Sequence, residues 1–483
     1  MASTQTEVWF MKMTVLSSER LLPSTSSIAV FLISTMFLAI AVCAESPVPT
    51  PAGPGHQSRP YLLPVKDTYL KFAEQTETTL RRDVLGVWFP RSIDNENGGF
   101  HSNFTRDWKP AKSEGKFSVF QGRMVWMAAQ IVMQRPGLKD QYLPVVAQGV
   151  DFLANVMWDR QYGGFFWGLD DRGHITPDYT DGKDLYGISF CLYGAAAAYQ
   201  ATNDPRALEL AKQSFRWMDE HGHDAKNGGY FEWLTREGKP VQSSAPSGRI
   251  DTTPVAAFLM GYKSMNTHIH LLESVAQLYE VWKDETVRNR LQELLSIVRD
   301  RICVEPGVMN LYFTNEWRAI PDHDSYGHDV ETAYLILESA DLLGQSGDPK
   351  TEHMARKLVD HALAYGWDET NGGFYREGTT IGAPEDMKKE WWVQMEGLNA
   401  LLLMHDMYGA ETDVYFRAFQ KQWQFIRDRQ VDHEFGGIYD TVERDGTVTN
   451  YIKARMWKEA YHDGRALLNV TARLLKLAAS APN

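Results

Sequence analysis

Three short stretches place histidine where imidazole chemistry has a carboxylate or a phenol close by. MNTHIHLLES (265–274) holds His268, His270 and Glu273, SYGHDVE (325–331) holds His328 and Glu331, and AYHDGR (460–465) sets His462 after Tyr461. Spacing discriminates between metal binding and proton transfer. A helical pair of zinc ligands wants a separation of four, whereas His268 and His270 are two apart and point to different faces of a helix. His270 with Glu273, and His328 with Glu331, are three apart and share a face, so the carboxylate can hold the ring and tune its basicity. Di-metal bundles use Glu-x-x-His in the opposite order, with further glutamates from partner helices. The expectation is acid/base work by neutral histidines, with no metal and no cofactor. His270 is read as part of the site, His268 as structural and Glu273 as lying behind the site.

These residues must be positioned by something, and a repeat shows what. Asp, three residues and Gly-Gly recur as DNENGGF from Asp94, DRQYGGF from Asp159, DAKNGGY from Asp224, DETNGGF from Asp368 and DHEFGGI from Asp432. The first glycines are spaced by 65, 65, 144 and 64 residues, and a degenerate copy, GVMNLYF from Gly307, falls in the long gap. Six repeats of about 64 residues therefore span 66–478. Gly-Gly supplies the positive φ of a tight turn, and the Asp can accept from local backbone amides. Each repeat reads as a helix, a turn with a short strand pair, and a second helix. The second helices, such as YGISFCLYGAAAAYQ and WWVQMEGLNALLLMHDMY, are apolar nearly all round, as inner helices must be. Six inner and six outer helices in alternation predict an all-α (α/α)6 barrel with short β-hairpins in its connecting loops.

In such a barrel the starts of the inner helices share one rim. Gln121-Gly122-Arg123, Tyr186-Gly187, Asn266 to His270, His328-Asp329, Trp391-Trp392 and Tyr461-His462 each fall within a turn of such a start. Each residue singly could be a cap or core packing. Their common level is what predicts a concave site. Glu331 and Glu396 are assigned to this substrate site as residues that orient a neighbour.

At these positions the sequence resembles the N-acylglucosamine 2-epimerase superfamily, and within it the cellobiose 2-epimerases. The resemblance rests on MNTHIHLLES, SYGHDVE, WWVQME (391–396), QGRMVW (121–126) and WKEAYHDGRA (457–466). It implies the same barrel and epimerisation at C2 of the reducing-end glucose in a β-1,4-linked disaccharide. His328 and His462 would be the acid/base pair flanking C2, with His270 near O1 and the ring oxygen. Asn266 and Arg123 would bind around the reacting carbons, Glu331 would orient His328, Trp392 and Trp457 would stack on the two sugars, and Tyr186 would contact substrate. The site also allows an aldose–ketose or mannose isomerase, if C1 is reprotonated. An inverting glycoside hydrolase would need two acids about 6.5–9.5 Å apart, and an inactive sugar-binding protein would be expected to have lost a histidine. Two departures are an insert, EGKPVQSSAPSGRID (237–251), and Gln-Gly-Arg where cellobiose enzymes commonly have Asn-Ser-Arg.

Composition agrees with a sugar ligand. The chain of 483 residues is 43% hydrophobic and carries a net charge of −13, which argues against nucleic acid and anionic membranes as partners. Its 15 Trp can line a carbohydrate groove, although most belong in the core. The apolar run IAVFLISTMFLAIAVC (28–43) is short for a membrane span, so residues 1–44 read as an export signal, with a retained anchor as the alternative, and 45–65 as a Pro-rich linker. The expectation is an exported periplasmic or secreted protein, off the membrane after cleavage, monomeric or weakly homodimeric. Cys191 and Cys303 are too few for a disulfide framework once Cys43 leaves with the signal.

Overall fold

The computed structural model describes residues 61–176, 182–241 and 262–481. The expected export signal, the linker up to residue 60 and residues 242–251 of the insert lie outside the described residues. Among those described, twelve long helical runs alternate in role. The outer ones are α1 (Lys66–Thr79, continued through wider turns to Ser92), α3 (Lys139–Phe152), α5 (Pro205–His221), α7 (Glu285–Ile297), α9 (Pro349–Tyr365) and α11 (Val414–Phe425). The inner ones are α2 (Ser118–Gln134), α4 (Leu185–Thr202), α6 (Met265–Val281), α8 (Tyr326–Leu342), α10 (Trp391–Tyr408) and α12 (Tyr461–Ser480).

Burial follows the sequence pattern. Every residue of α4 from Leu185 to Ala198 is buried, whereas α5 buries only the face through Ala207, Leu210, Ala211, Ser214, Phe215, Trp217 and Met218. Inner helices pack in the order α2, α4, α6, α8, α10, α12, and α12 returns to α2. Each inner helix also packs on an outer one, and the outer partner of α12 is α1, so the last repeat closes on the first. The α2–α4 contact explains Gly122 of the Gln-Gly-Arg departure. A Cβ there would stand 2.3 Å from the Phe190 carbonyl oxygen, and one on Gly194 would stand 2.5 Å from the Gly122 carbonyl oxygen.

The Gly-Gly turns have the expected backbone, with φ of 79° and 68° at Gly98 and Gly99 and similar values in the other four copies. Their hydrogen bonding goes further than the sequence reading. Asp94 Oδ1 accepts from the amides of Glu96 and Asn97, and its Oδ2 accepts from Lys116 Nζ at 2.6 Å, while the same ammonium donates to the Gly98 carbonyl. The clamp recurs as Asp159–Lys183 (3.2 Å), Asp224–Lys263 (2.8 Å), Asp368–Lys389 (3.1 Å) and Asp432–Lys453 (2.9 Å). Four of these lysines stand two residues before an inner helix, so each ion pair fixes a turn to the start of a helix at the rim. A second tie sits a turn later. Gln121 bonds both the amide and the carbonyl of Phe100, Gln394 does the same to Phe374, and His268 Nε2 accepts from the Tyr230 amide at 3.0 Å. His268 is therefore structural, as its spacing suggested.

The fourth repeat departs from this scheme. Asp324 occupies the place of the lysine two residues before α8, beside Asp329, with His361 Nδ1 at 3.4 Å from Asp324 Oδ2. Burial and the Asp324 charge push the Asp329 carboxyl well up, and burial takes Asp324 to about 6, so the pair is held with a proton rather than a lysine.

The short strands include the local hairpins expected and add pairings between repeats. Among the described residues, Glu377–Gly378 with Pro384–Asp386, Cys303–Val304 with Val308–Met309, and Tyr312–Phe313 with Ala319–Ile320 pair locally, and a single bridge such as Ile93 to Phe100 closes each Gly-Gly turn. Lys116–Phe117 pairs instead with Gly168–Leu169, Lys183–Asp184 with Trp233–Leu234, Lys263–Ser264 with Tyr312–Phe313 and Lys389–Glu390 with Thr441–Val442. These ladders stitch one repeat to the next along the rim. No described helix is long and apolar enough to cross a membrane.

Candidate active site

The rim encloses a cavity lined by nine of the ten residues singled out from the sequence: Arg123, Tyr186, Asn266, His270, His328, Glu331, Trp392, Trp457 and His462. They come from α2, α4, α6, α8, α10, α12 and the loop before α12, so no two repeats suffice to build it. Glu390, Trp391 and Arg455 complete the wall. The tenth residue, Glu396, is corrected as a substrate contact, since it does not reach the cavity; buried behind His462, it holds that ring, the orienting role expected of it. It lies just over a helical turn beyond Trp392 on α10, paired with His462 and Arg465.

Each histidine is held through Nδ1. His462 donates to Glu396 Oε1 at 2.7 Å and His270 to Glu273 Oε1 at 2.6 Å, which leaves Nε2 of both rings unprotonated and basic. His328 Nδ1 meets Ser325 Oγ at 2.7 Å. This corrects the expectation that Glu331 orients His328. Ser325 precedes α8 and its hydroxyl reaches the ring, whereas Glu331 is drawn away by Arg465. Burial pushes His328 down to about 4 and His270 to about 3, and takes His462 well below its ordinary value, so all three rings are neutral at pH 7.

Arg123 lies buried with Nη1 on Glu459 Oε1 at 3.1 Å and Nη2 on the Tyr186 hydroxyl at 3.2 Å. Its burial opposes the charge, but the Tyr186 and Glu459 oxygens outweigh this and raise its pKa. Its guanidinium also stacks 4.1 Å from the Phe190 ring centroid. Burial pushes Tyr186 up to about 12, so it remains a neutral donor. Trp392 lies against both acid/base candidates, with ring centroids 4.6 Å from His328 and 5.9 Å from His462, and its indole N–H donates to Glu390 Oε2 at 2.9 Å. Trp457 is braced edge-on by Phe117 at 4.6 Å and is 39% exposed, an open aromatic platform at the mouth. Asn266 turns a buried Oδ1 without a protein partner beside the cavity.

Glu331, Glu396 and His462 bring oxygen and nitrogen atoms within 4.8 Å of one another, a spacing that would suit a cation. A cation is already there: Arg465 donates to both carboxylates. The sequence reading missed Arg465, Ser325, Glu459 and Glu390. Arg465 had a visible signal, an arginine three residues after His462 and so on the same face of α12.

The comparisons with known proteins fit this geometry. The family model for N-acylglucosamine 2-epimerase (GlcNAc 2-epimerase) matches residues 98–466. A cellobiose 2-epimerase of Bacteroides fragilis is 30% identical, over 84% of this chain and 99% of its own length. A D-mannose isomerase of Marinomonas mediterranea is 22% identical, over 81% of this chain and 95% of its own. Among solved structures, cellobiose 2-epimerase from Spirochaeta thermophila superposes with a TM-score of 0.74 at 29% identity, covering 85% of this chain and 98% of that one. The chain belongs to the N-acylglucosamine 2-epimerase family.

Proposed function

We propose that this protein is an isomerase that epimerises C2 of the reducing-end glucose of a β-1,4-linked disaccharide, converting cellobiose to glucosyl-mannose. The observation that carries the reading is the convergence of two neutral histidines from remote repeats, half-buried His328 and buried His462, on a cavity with an arginine and aromatic platforms. The C2 proton of a closed aldose is not acidic. His270, near the anomeric centre, therefore assists opening of the ring to the aldehyde. One histidine then takes the C2 proton through Nε2, and the electron pair moves onto the carbonyl oxygen to give an enediolate. Arg123 and Tyr186 donate to that oxyanion. The other histidine takes a proton from solvent at Nε2 and gives it to the opposite face of C2, the first releases to solvent the proton it removed, and the ring closes. Neither redox nor metal chemistry is called for.

A second reading, aldose–ketose isomerisation, shares every step up to the enediolate and differs in reprotonation at C1; the mannose isomerase relative favours keeping it in the test. Hydrolysis is disfavoured because both carboxylates at the cavity are engaged, Glu331 by Arg465 and Glu390 by the Trp392 indole. Export through residues 1–44 is part of the proposal, and fractionation of cells expressing the full chain tests it.

Incubation with cellobiose, lactose, mannose and glucose in D2O, followed by NMR, separates the readings. Deuterium at C2 of a mannose-type product is expected, with or without EDTA. A ketose would favour the isomerase, and release of monosaccharides from a disaccharide would refute both. The pH profile adds an independent check. Each base must be neutral to act, and burial lowers the histidine pKa values, so neutrality persists as pH falls below the ordinary imidazole value of ~6.5. The acid limb of kcat/KM is expected below that value; a limb at or above 6.5 would contradict burial as the controlling influence.

A further inference from the structure

Behind the three histidines lies a cation that does not line the cavity. Arg465, on α12 one turn beyond His462, is 1% exposed. Its Nη1 donates to Glu273 Oε2 at 2.8 Å and to the Tyr461 hydroxyl, and its Nη2 donates to Glu396 Oε1 at 2.6 Å and to Glu331. Glu396 Oε1 is the same atom that accepts from His462 Nδ1, and the other oxygen of Glu273 accepts from His270 Nδ1. We infer that Arg465 is the positioning residue that fixes the tautomer of the site histidines, by keeping the carboxylates behind His462 and His270 ionised. The inference rests on the acid/base role proposed for these histidines.

The argument is one of charge. Glu273, Glu331 and Glu396 approach one another from α6, α8 and α10, all three buried and only Glu331 of them reaching the cavity, and buried unpaired carboxylates take up protons. Burial already raises the pKa of Glu273 and Glu396, and Arg465 pulls both back down. Without the guanidinium Glu396 would hold a proton. A protonated Glu396 donates to His462 Nδ1 instead of accepting from it, the ring proton moves to Nε2, and the nitrogen facing the sugar can no longer act as a base. A planar fork with two amino groups suits this junction of three carboxylates, whereas an ammonium on a single stem meets them less completely. The remaining groups around Arg465 do not replace it. Tyr334 and Glu338 approach from α8 and Tyr193 from α4; none of them is a cation. Arg123 acts on the same carboxylates but is committed to Glu459 and Tyr186.

The test uses the full chain with Arg465→Met and Arg465→Lys, following C2 exchange and steady-state rates against pH, with circular dichroism and thermal melting to establish folding. Arg465→Met is expected to lose about 10²–10³-fold in kcat with KM changed less than about threefold. Its acid limb should move up by more than about one pH unit, because both Glu396 and the histidines then need a higher pH to lose their protons. Arg465→Lys should recover part of the rate and return the limb towards that of the unaltered protein. A folded Arg465→Met with the original kcat and limb would overturn the inference, as would a lysine variant no better than methionine. If the arginine variants do not fold, Glu396→Gln carries the test: a kcat loss at unchanged KM supports the inference, and an unaltered kcat refutes it. Absence of exchange in the unaltered protein would instead refute the epimerase reading from which the inference starts.

Discussion

Replacing either His328 or His462 by alanine is expected to remove epimerisation, by about 10²–10⁴-fold in kcat, while each variant keeps its fold. Inversion needs a proton taken from one face of C2 and another given to the opposite face, so neither histidine can do both. The variants differ in what survives. With His462 absent, His328 can still remove and return a proton on its own face, exchanging C2 hydrogen in one epimer without inverting it. With His328 absent, the surviving exchange belongs to the other epimer. NMR of glucose- and mannose-terminated disaccharides in D2O reads this directly. Exchange of the same epimer in both variants, or epimerisation at the original rate in either, would remove the two-base mechanism. Folding should hold because the loss of His462 leaves Glu396 paired to Arg465, and the loss of His328 frees only the Ser325 hydroxyl.

Lys116→Met is expected to cost about 3–5 kcal/mol of stability, as removing one partner of a buried ion pair does. Lys116 is 1% exposed and Asp94 2%, and the ammonium also serves the Gly98 carbonyl. Methionine fills a similar volume but leaves Asp94 with the backbone amides of Glu96 and Asn97, the Asn97 side-chain amide and, at 3.6 Å, His101 Nε2. The lysine, with these groups, holds the Asp94 carboxyl down at about 2, against the opposing effect of burial, so removing it penalises the charged form directly. Denaturant midpoints for the variant and the unaltered chain measure the loss, and a change below about 1 kcal/mol would show that the backbone amides alone hold the turn. Asp94→Asn,Lys116→Met together should cost less than Lys116→Met alone, since no charge is then stranded.

How far the sequence carried this depends on the range of each interaction. The turns were legible because Asp and Gly-Gly are neighbours, and positive φ is a local demand. The inner helices were legible because their apolar character shows in any single turn. His268 and His270 could be told apart by helical phase alone, and the structure gives the first to the Tyr230 amide and the second to the cavity. The lysine clamps were not legible. Their partners lie between Lys389, 21 residues after Asp368, and Lys263, 39 after Asp224, and no local pattern marks a lysine as buried. The role given to Glu331 failed for a related reason. A spacing of three shows that Glu331 and His328 share a face of α8, but not that an arginine from α12 competes for the carboxylate and a serine before the helix takes the ring. The common level of the inner-helix starts supplied most residues of the cavity and the resemblance added Trp457, whereas the electrostatic layer beneath became visible only once helices from separate repeats were side by side.

The pairing of α1 with α12 has a consequence for how the molecule comes into being. The Thr76 and Thr471 hydroxyls meet at 2.8 Å across a separation of 395 residues. During synthesis α1 emerges first and must wait, its apolar face uncovered, until almost the entire polypeptide has left the ribosome. Contacts of such long range are slow to form and leave the nascent chain exposed to misassembly, so the clasp sets the pace of maturation. The helix that completes it also delivers His462, and activity switches on with the final step of assembly rather than growing as the repeats accumulate.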